Sequence, residues 1–208
     1  MWMQVTKLAW PDSIKHHLRY ITNSGGAMPQ STLENLQEKL PDTPVRWVDY
    51  QKMHLTLKFL GDISTENIGM VEKILQTEGA KHSAMELGIG GIGAFPKMRH
   101  PRVIWIGVEA PPDLFDLRRG IEDGVARLGY TYDKYEFTPH LTLGRISRKA
   151  SARDVRTVGN VLHEFQVGFI GAARIEDVHL YRSDLSPDGA RYTCLFSAPL
   201  SGQESQTE

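Results

Sequence analysis

The chain has 208 residues, 40% of them apolar and 24% charged, which is enough to bury the core of one large domain or of two small lobes. The 24 basic and 25 acidic residues nearly cancel, which excludes a protein that holds long nucleic acid by a general positive field. The single cysteine, Cys194, excludes an internal disulfide framework. With no apolar run long enough to cross a bilayer and no secretion-signal pattern, the sequence predicts a cytoplasmic protein without a membrane segment.

The N-terminal part is predicted to contain a strand and two helices. Residues 3–9 have a strand pattern, and the segment that follows has apolar residues at helical spacing, Ile14, Leu18 and Ile21. The segment 23–30, NSGGAMPQ, ends this helix. A second helix, with a capping box of Ser31 and Glu34, stops before PDTP at 41–44 and carries Leu33, Leu36 and Leu40.

The middle of the chain is predicted to form two strands, a helix and a glycine-rich extended segment. Residues 45–61, VRWVDYQKMHLTLKFLG, predict two strands joined by a turn. Ser64 or Thr65 can cap a helix whose apolar face contains Ile68, Val71, Ile74 and Leu75. Residues 83–92 predict an extended segment whose glycines leave little side-chain bulk, followed by a loop over 93–102.

The C-terminal half is predicted to continue the alternation of strands and helices. Residues 103–108 predict a buried strand, and a helix with two interior glycines follows, with the stripe Leu114, Leu117, Ile121, Val125 and Leu128. A strand in YEFTPHLTLGR, a helix over 151–165 and two strands within 173–200 joined by an SPDG turn complete the order. Several strand pairs resemble hairpins, so we expect an α+β fold with mainly antiparallel sheets. We expect one bilobal domain over 1–198 and a polar tail over 199–208.

Two segments repeat a short motif, HLTLKFLG at 54–61 and HLTLGR at 140–145. In an extended strand, alternate side chains share a face. One face of the first segment would carry His54, Thr56 and Lys58, and the other Leu55, Leu57 and Phe59. In the second segment the corresponding face would carry His140 and Thr142. The copies lie 86 residues apart, which favours a duplicated half-domain whose pseudo-two-fold axis brings the histidines face to face across a cleft.

Two facing histidines can divide acid and base roles near neutral pH, because the unperturbed imidazole pKa is about 6.5. Such a pair suits an in-line displacement at phosphorus, in which one ring deprotonates the attacking water and the other protonates the leaving oxygen. The threonine hydroxyls two residues later can donate to the non-bridging phosphate oxygens. No metal is required, and the sequence has no HExxH motif or cysteine ligand set for zinc.

The repeated HxTx pattern and the segments around it resemble a known family. In order along the chain these segments are VRWV, GIGAFP, PRVIWIGV, EFTPHLTLGR and VHLYRSDLSPDGARY, which cover most of residues 45–198. They are similar to the pattern of the RNA 2',3'-cyclic phosphodiesterases, also called the 2'-5' RNA ligase family, within the two-histidine phosphoesterase superfamily. The resemblance implies a duplicated, bilobal fold in which two mainly antiparallel sheets, backed by helices, surround a central cleft.

The resemblance also implies hydrolysis of a terminal 2',3'-cyclic phosphate, on RNA or a nucleotide, to a 2'-phosphomonoester without a cofactor. His54 would be the general acid on the 3'-oxygen and His140 the base that activates water, although sequence leaves these roles exchangeable. The residues matched to phosphate binding are Thr56, Thr142 and Arg145. Phe95 would stack on the terminal base or serve only in packing, and Trp47 is expected to pack.

The position of Arg145 depends on a local irregularity. Strict alternation puts Arg145 on the face opposite His140, so it reaches the cleft only if the strand ends or bulges at Gly144. The first motif has no such arginine and offers Lys58 on the histidine face instead. The residues before 45 depart most from the family pattern, so their register stays open.

Several alternatives remain at the level of sequence. The other six histidines are expected to be structural or surface residues, and four cations would contact RNA phosphates or remain solvated: Arg99, Arg102, Arg148 and Lys149. An RNA-end-binding module with little catalysis and 2'-5' RNA ligation as a reverse activity are the alternatives to hydrolysis. The expected partners are RNA 3' ends or nucleoside 2',3'-cyclic phosphates. We expect a monomer, because an internal pseudo-two-fold closes the cleft within one chain.

Overall fold

The computed structural model describes residues 14–20, 30–186 and 189–202. The strands in this part of the chain are β1 (Ile14–Tyr20), β2 (Val45–Trp47), β3 (Leu55–Ile63), β4 (Met85–Phe95), β5 (Val103–Glu109), β6 (His140–Ile146), β7 (Phe169–Ile175), β8 (Asp177–Ser186) and β9 (Gly189–Pro199). The helices are α1 (Gln30–Lys39), α2 (Thr65–Gly79), α3 (Pro112–Ala126) and α4 (Ala152–Glu164), and a 3-10 turn spans Tyr50–Lys52.

The strands form a hydrogen-bonded sheet with the order β7-β4-β5-β6-β3-β1-β8-β9, and β2 pairs with β6 outside this order. Every pairing between these strands is antiparallel. The motif strands β6 and β3 lie at the centre, and each has three further strands on its outer side, as a pseudo-two-fold axis between them requires. They meet at the Leu55–Leu141 pair. The duplicated, bilobal α+β fold is therefore confirmed.

The core is a continuous cluster of apolar side chains from the helices and the strands. Its helical layer includes a close contact between α2 and α3, which the two interior glycines of α3 permit. A Cβ at Gly124 would lie 2.6 Å from Cγ2 of Ile74, and one at Gly120 would collide with the carboxylate of Glu78. These glycines lower the intrinsic helix propensity of α3 but let the neighbouring helix approach.

Most predicted elements are confirmed, and the main correction concerns residues 14–20. The sequence predicts a helix there, whereas this segment is the strand β1, paired with β3 on one side and with β8 on the other. Hydrogen bonding to two flanking strands outweighs a helical spacing of three apolar residues. The strand predicted over 3–9 and nearly all of the 23–30 segment lie outside the described residues.

Two further corrections concern the ends of strands. β4 extends to Phe95, so the loop predicted from residue 93 begins only at Pro96. The two strands predicted within 173–200 are three in the structure, because β7 ends at Ile175, just before β8 begins. The domain boundary at 198 stays a prediction, and the chain still packs beyond it, since Leu200 is buried. Among the helices of the described ranges, none combines the length and apolar character needed to cross a membrane.

Candidate active site

The residue pair that joins β3 to β6 places the two motif segments side by side. Continuing this antiparallel register by one residue sets His54 opposite Thr142 and Thr56 opposite His140. All four side chains are half-buried and belong to one face of the sheet. The two histidines are then diagonal neighbours, which in a regular antiparallel pair lie about 7–8 Å apart. The structure thus brings together the four residues of the repeated motif.

Each imidazole is held in the same way, by a carbonyl group two residues earlier. Nδ1 of His54 lies 2.7 Å from the carbonyl oxygen of Lys52, and Nδ1 of His140 lies 2.7 Å from that of Thr138. A carbonyl oxygen can only accept a hydrogen bond, so Nδ1 carries a hydrogen in both rings. In the neutral form of each ring the lone pair is therefore on Nε2, the atom that can take up or release a proton.

The surroundings of His140 favour its neutral form. Burial lowers the pKa of His140 below its usual 6.5, and the positive charge of Arg145 lowers it further, whereas the hydrogen bond to Thr138 raises it. The net direction is downward, so most of the His140 rings are neutral at pH 7. This is the protonation state that a general base requires.

A bulge in β6 determines the face on which Arg145 lies. Trp105 of β5 pairs with Thr142, but the next pair along β5 involves Gly144, so Leu143 is an extra residue. The extra residue reverses the alternation and puts Arg145 on the same face as Thr142, where its side chain is exposed. The condition that the sequence analysis set for Arg145 to reach the cleft face is met.

Gly144 also permits close packing behind this bulge. Its partner in β2 is Trp47, and a Cβ at residue 144 would lie 2.9 Å from both Cε3 of Trp47 and Cγ1 of Val45. The Trp47 ring therefore lies over the glycine and packs against the core. This supports the expectation that Trp47 is a packing residue.

The first motif contains the same bulge, which corrects two predictions. β1 pairs with Thr56 and then with Lys58, so Leu57 is the extra residue. Lys58 was predicted on the histidine face, but it lies on the opposite face and is 2% exposed. Phe59 was predicted on the face opposite His54, but it lies on the face of Thr56 and is 53% exposed. Strict alternation has no place for an inserted residue, which is why both predictions were wrong.

Buried Lys58 connects β3 to the segment that leads into β6. Its Nζ lies 2.7 Å from a carboxylate oxygen of Glu122, 2.7 Å from one of Asp133 and 2.8 Å from the carbonyl oxygen of Thr131. Arg118 contacts the same two carboxylates, at 3.2 Å from Glu122 and 2.9 Å from Asp133. Two cations and two anions thus neutralise one another and hold the loop before β6 against β3.

Aromatic rings lie beside both histidines. The ring centroid of Phe95 is 5.0 Å from that of His140, in an edge-to-face arrangement, and the centroid of Trp105 is 5.9 Å from it. Tyr192 of β9 makes an edge-to-face contact with His54 at 5.4 Å. Phe95 and Trp105 also contact each other, at 5.3 Å, and form one wall beside His140. The stacking role of Phe95 on a base stays a prediction.

Trp105 is a site residue that the sequence analysis missed. Its indole lies over Gly93, where a Cβ would overlap the ring, and its Nε1 is buried without a hydrogen-bond partner in the described part of the chain. In the structure, residues along β5 alternate between buried and half-buried, and Trp105 is on the less buried side. The same alternation gives Trp105 the face of Thr142, its partner in β6.

Arg46 and Tyr192 were missed as well. Arg46 is the direct partner of Arg145 across β2 and β6, so both side chains share a face, and both are exposed. Sequence offered no signal for either contact, because the register of β2 on β6 and the approach of β9 to His54 depend on the tertiary structure.

His179 of β8 lies on the same face of the sheet as Thr56, two strands away, because both residues pair with the same residue of β1. Nδ1 of His179 is 4.0 Å from the sulfur of Cys194, and burial lowers the pKa of this histidine. Over the ranges that the structure describes, no group of three or more His, Cys, Asp or Glu residues is arranged to hold a metal ion.

Comparison with known proteins gives consistent relatives. A family model described as LigT like Phosphoesterase matches residues 27–105. The chain is 32% identical over 155 residues to the RNA 2',3'-cyclic phosphodiesterase of Methanothermobacter thermautotrophicus. The aligned residues cover 74% of this chain and 82% of the relative. It is 31% identical over 148 residues to the protein of the same name from Archaeoglobus fulgidus, with 71% and 80% covered.

Solved structures share the fold. A crystal structure of a Thermus thermophilus protein has a TM-score of 0.72 at 24% identity, covering 92% of this chain and 100% of that one. The Escherichia coli LigT protein complexed with 3'-AMP has a TM-score of 0.67 at 23% identity, covering 91% and 99%. The structural similarity to both proteins extends over both lobes of this chain.

Proposed function

This chain belongs to the family of LigT-like phosphoesterases and RNA 2',3'-cyclic phosphodiesterases, and from this we propose that it hydrolyses a terminal 2',3'-cyclic phosphate, on RNA or a nucleotide, to a 2'-phosphomonoester. The observation that supports this most is the matched pair of imidazoles, each with Nδ1 hydrogen-bonded to a carbonyl group, which puts the lone pair of the neutral ring on Nε2. In-line displacement at phosphorus needs one base and one acid on opposite sides of the phosphorus atom.

In the proposed reaction, His140 is the base and His54 the acid. Nε2 of His140 removes a proton from water, and the water oxygen attacks phosphorus. The bond from phosphorus to the 3'-oxygen breaks, and this oxygen takes the proton from Nε2 of His54. The assignment is supported by the lowered pKa of His140, because a base must be neutral before the reaction begins. Proton exchange with solvent restores both rings afterwards.

Three further residues are proposed to bind the phosphate. The hydroxyl groups of Thr56 and Thr142 donate to the non-bridging oxygens, and Arg145 neutralises the charge that grows on them in the transition state. Removing one such preorganised donor typically lowers kcat by about 10²–10³. Phe95 and Trp105 supply an apolar wall on the His140 side, where the terminal base would lie.

All the groups in this proposal are side chains, so metal ions have no part in it. Turnover of a nucleoside 2',3'-cyclic phosphate should be the same in excess EDTA as in its absence. A loss of activity that added metal restores would contradict this part of the proposal.

Substitution of either histidine tests the mechanism. His54→Ala and His140→Ala should each lower kcat by about 10²–10⁴, because each removes one proton-transfer partner. His82→Ala, in the loop after α2, is the matched control and should keep wild-type activity. The measurement is product formation from a nucleoside 2',3'-cyclic phosphate, with the 2'- and 3'-phosphates separated by chromatography. Wild-type rates in either active-site variant would contradict the proposal.

The same assay separates the alternatives. Ligation through a 2'-5' linkage uses the same groups in the reverse direction and would appear as joined RNA ends when donor and acceptor are supplied together. A binding module without catalysis would retain the cyclic phosphate and give no product. We rank hydrolysis first because water at its bulk concentration competes strongly with an RNA hydroxyl.

A further inference from the structure

A groove with positive walls lies outside the histidine face, between the segment 98–102 and α4. Its volume is about 700 Å³. The polar residues that line it are all exposed and are Arg99, His100, Arg102, Arg156, Asn160 and His163. No aspartate or glutamate is among its described lining residues. In a chain whose basic and acidic residues nearly cancel, three arginines without a carboxylate form a local positive surface.

In the described part of the chain, the three guanidinium groups of the groove lack the carboxylate partner that four other arginines of this protein have. Arg118, Arg119, Arg174 and Arg182 each have a carboxylate partner. Within the described ranges, no ion pair involves Arg99, Arg102 or Arg156. An exposed arginine usually contributes little stability through a surface ion pair. A groove lined by three arginines, however, repels other cations and attracts anions.

The walls of the groove are held together by backbone contact. Gly159 of α4 lies against the 98–102 segment, where a Cβ would be 2.9 Å from the carbonyl oxygen of Met98 and 3.3 Å from that of Arg99. Arg156 lies three residues before Gly159, on the same side of the helix. Arg99 and Arg156 therefore face the same groove from two elements whose distance is fixed.

Arg102 connects this groove to the candidate active site. Its backbone N–H donates to the carbonyl oxygen of Phe95 at 2.7 Å, and its own carbonyl oxygen accepts from Ile146 at the end of β6. The next residue, Val103, pairs with both Phe95 and Arg145. The segment that forms one side of the groove is thus joined through the backbone to the strands that carry Phe95 and Arg145.

We propose that this groove binds the RNA strand on the 5' side of the terminal nucleotide, with Arg99, Arg102 and Arg156 contacting phosphodiester groups. The proposal rests on the proposed function, because it takes the terminal cyclic phosphate to lie at the two histidines. Guanidinium groups suit this role, since each can donate two parallel hydrogen bonds to one phosphate. With these contacts, an RNA 3' end would bind with higher affinity than a single nucleotide.

Binding measurements test this without any need for turnover. The probe is a fluorescein-labelled oligouridylate that ends in a 2'-phosphate, and uridine 2'-monophosphate is the short competitor. We expect the double variant Arg99→Gln/Arg156→Gln to weaken oligouridylate binding roughly tenfold, with the monophosphate unaffected. The slope of log Kd against log salt should fall by about 0.7 for each contact removed. Arg102 stays in place because its guanidinium also donates to the carbonyl oxygen of Ser147.

The matched control is Lys73→Gln/Arg119→Gln, which removes the same charge from exposed positions on α2 and α3. It should bind both ligands as the wild type does. The proposal is overturned if the groove variant binds oligouridylate with wild-type affinity, if both double variants weaken it equally, or if the wild type binds the two ligands equally well. If the wild type binds the oligonucleotide more tightly but does not hydrolyse a cyclic phosphate, the proposed hydrolysis is contradicted, whereas the proposed binding of RNA in the groove is not.

Discussion

One inserted residue in each motif strand decides which side chain follows the threonine on the cleft face. In the second motif the bulge brings Arg145 to that face, and in the first motif the equivalent bulge brings Phe59. The two halves therefore share their imidazoles and hydroxyls but differ in the next position. Arg145 lowers the pKa of His140 and so favours the neutral ring that a general base requires.

Replacing Arg145 by glutamine should change both the rate and its dependence on pH. The charge of Arg145 lowers the pKa of His140, so its removal should raise that pKa. Activity increases with pH as the base loses its proton, and the acidic limb of kcat/KM should therefore move to higher pH. We also expect kcat/KM at its maximum to fall by about 10²–10³, because a donor to the phosphate is lost.

The control for this variant is Arg148→Gln, just after the end of β6 and exposed. It removes one positive charge without altering the motif face and should leave both the maximum and the acidic limb in place. An acidic limb that stays put in Arg145→Gln, or moves to lower pH, would show that the charge of Arg145 does not act on His140.

At this scale the repeated motif predicted that two histidines and two threonines lie together, which the register of β3 and β6 confirms, but not the face of the sheet on which every motif residue lies. Gly144 signalled a bulge before Arg145, because glycine is frequent where a strand is irregular. The first motif has Lys58 at the equivalent position, which gives no such signal. Alternation alone then puts Lys58 and Phe59 on the wrong faces. The partners that decide the matter, Glu122 and Asp133, lie more than sixty residues away in the chain.

Among the secondary-structure elements, β3 and α3 are tied by a buried ion cluster. Lys58 is 2% exposed and contacts Glu122 and Asp133, so its charge is compensated only as long as both carboxylates stay in place. The loop that contains Asp133 leads into His140. The cluster therefore contributes to the position of the second motif as well as to the stability of the first.

Lys58→Met should destabilise the protein strongly, because it leaves an excess negative charge on Glu122 and Asp133 that Arg118 alone does not neutralise. Breaking a buried pair by removing one partner typically costs about 3–5 kcal/mol. Lys81→Met is a matched control, since Lys81 also lies 2.7 Å from a glutamate oxygen, of Glu78, but its side chain is 57% exposed. That variant should lose less than about 1 kcal/mol.

The measurement is the free energy of unfolding by urea at neutral pH for the wild type and both variants. If Lys58→Met and Lys81→Met lose similar amounts, burial does not strengthen the Lys58 cluster. If Lys58→Met unfolds too readily to measure, Lys58→Met combined with Glu122→Gln should recover part of the loss, because one uncompensated charge is removed.

Helices were easier to predict than strands in this chain, and the physical reasons are visible. α2 and α4 begin at serine caps that the sequence contains, Ser64 and Ser151, and their apolar stripes are regular. β1 was predicted as a helix because its apolar residues have helical spacing. Its strand conformation is fixed by pairing with β3 and β8. Both strands come later in the chain, so the local sequence pattern gives no information about this pairing. The groove beside α4 likewise joins two segments that are distant in sequence.

For the whole molecule, the line between the lobes coincides with the candidate site. β3 and β6 are neighbours in the sheet, but in the described residues they pair through Leu55 and Leu141 alone. The imidazole of each lobe lies next to this pair. A phosphate bound to both imidazoles would bridge two motif strands that share a single residue pair in the described part of the chain, so ligand binding and the cohesion of the lobes are linked.

This linkage predicts that uridine 2'-monophosphate stabilises both lobes together. At a ligand concentration of 100 times Kd, the free energy of unfolding should rise by about 2.7 kcal/mol, which corresponds to an increase in Tm of roughly 5–10 °C for a chain of this size. Hydrogen exchange should slow in the peptides that contain Leu55 and Leu141 alike, because the ligand contacts a residue beside each. Uridine, which lacks the phosphate, should neither raise the free energy of unfolding nor slow hydrogen exchange in these peptides. Slower exchange confined to one of the two strands would mean that the phosphate binds within a single lobe, and the shared two-histidine site would be excluded.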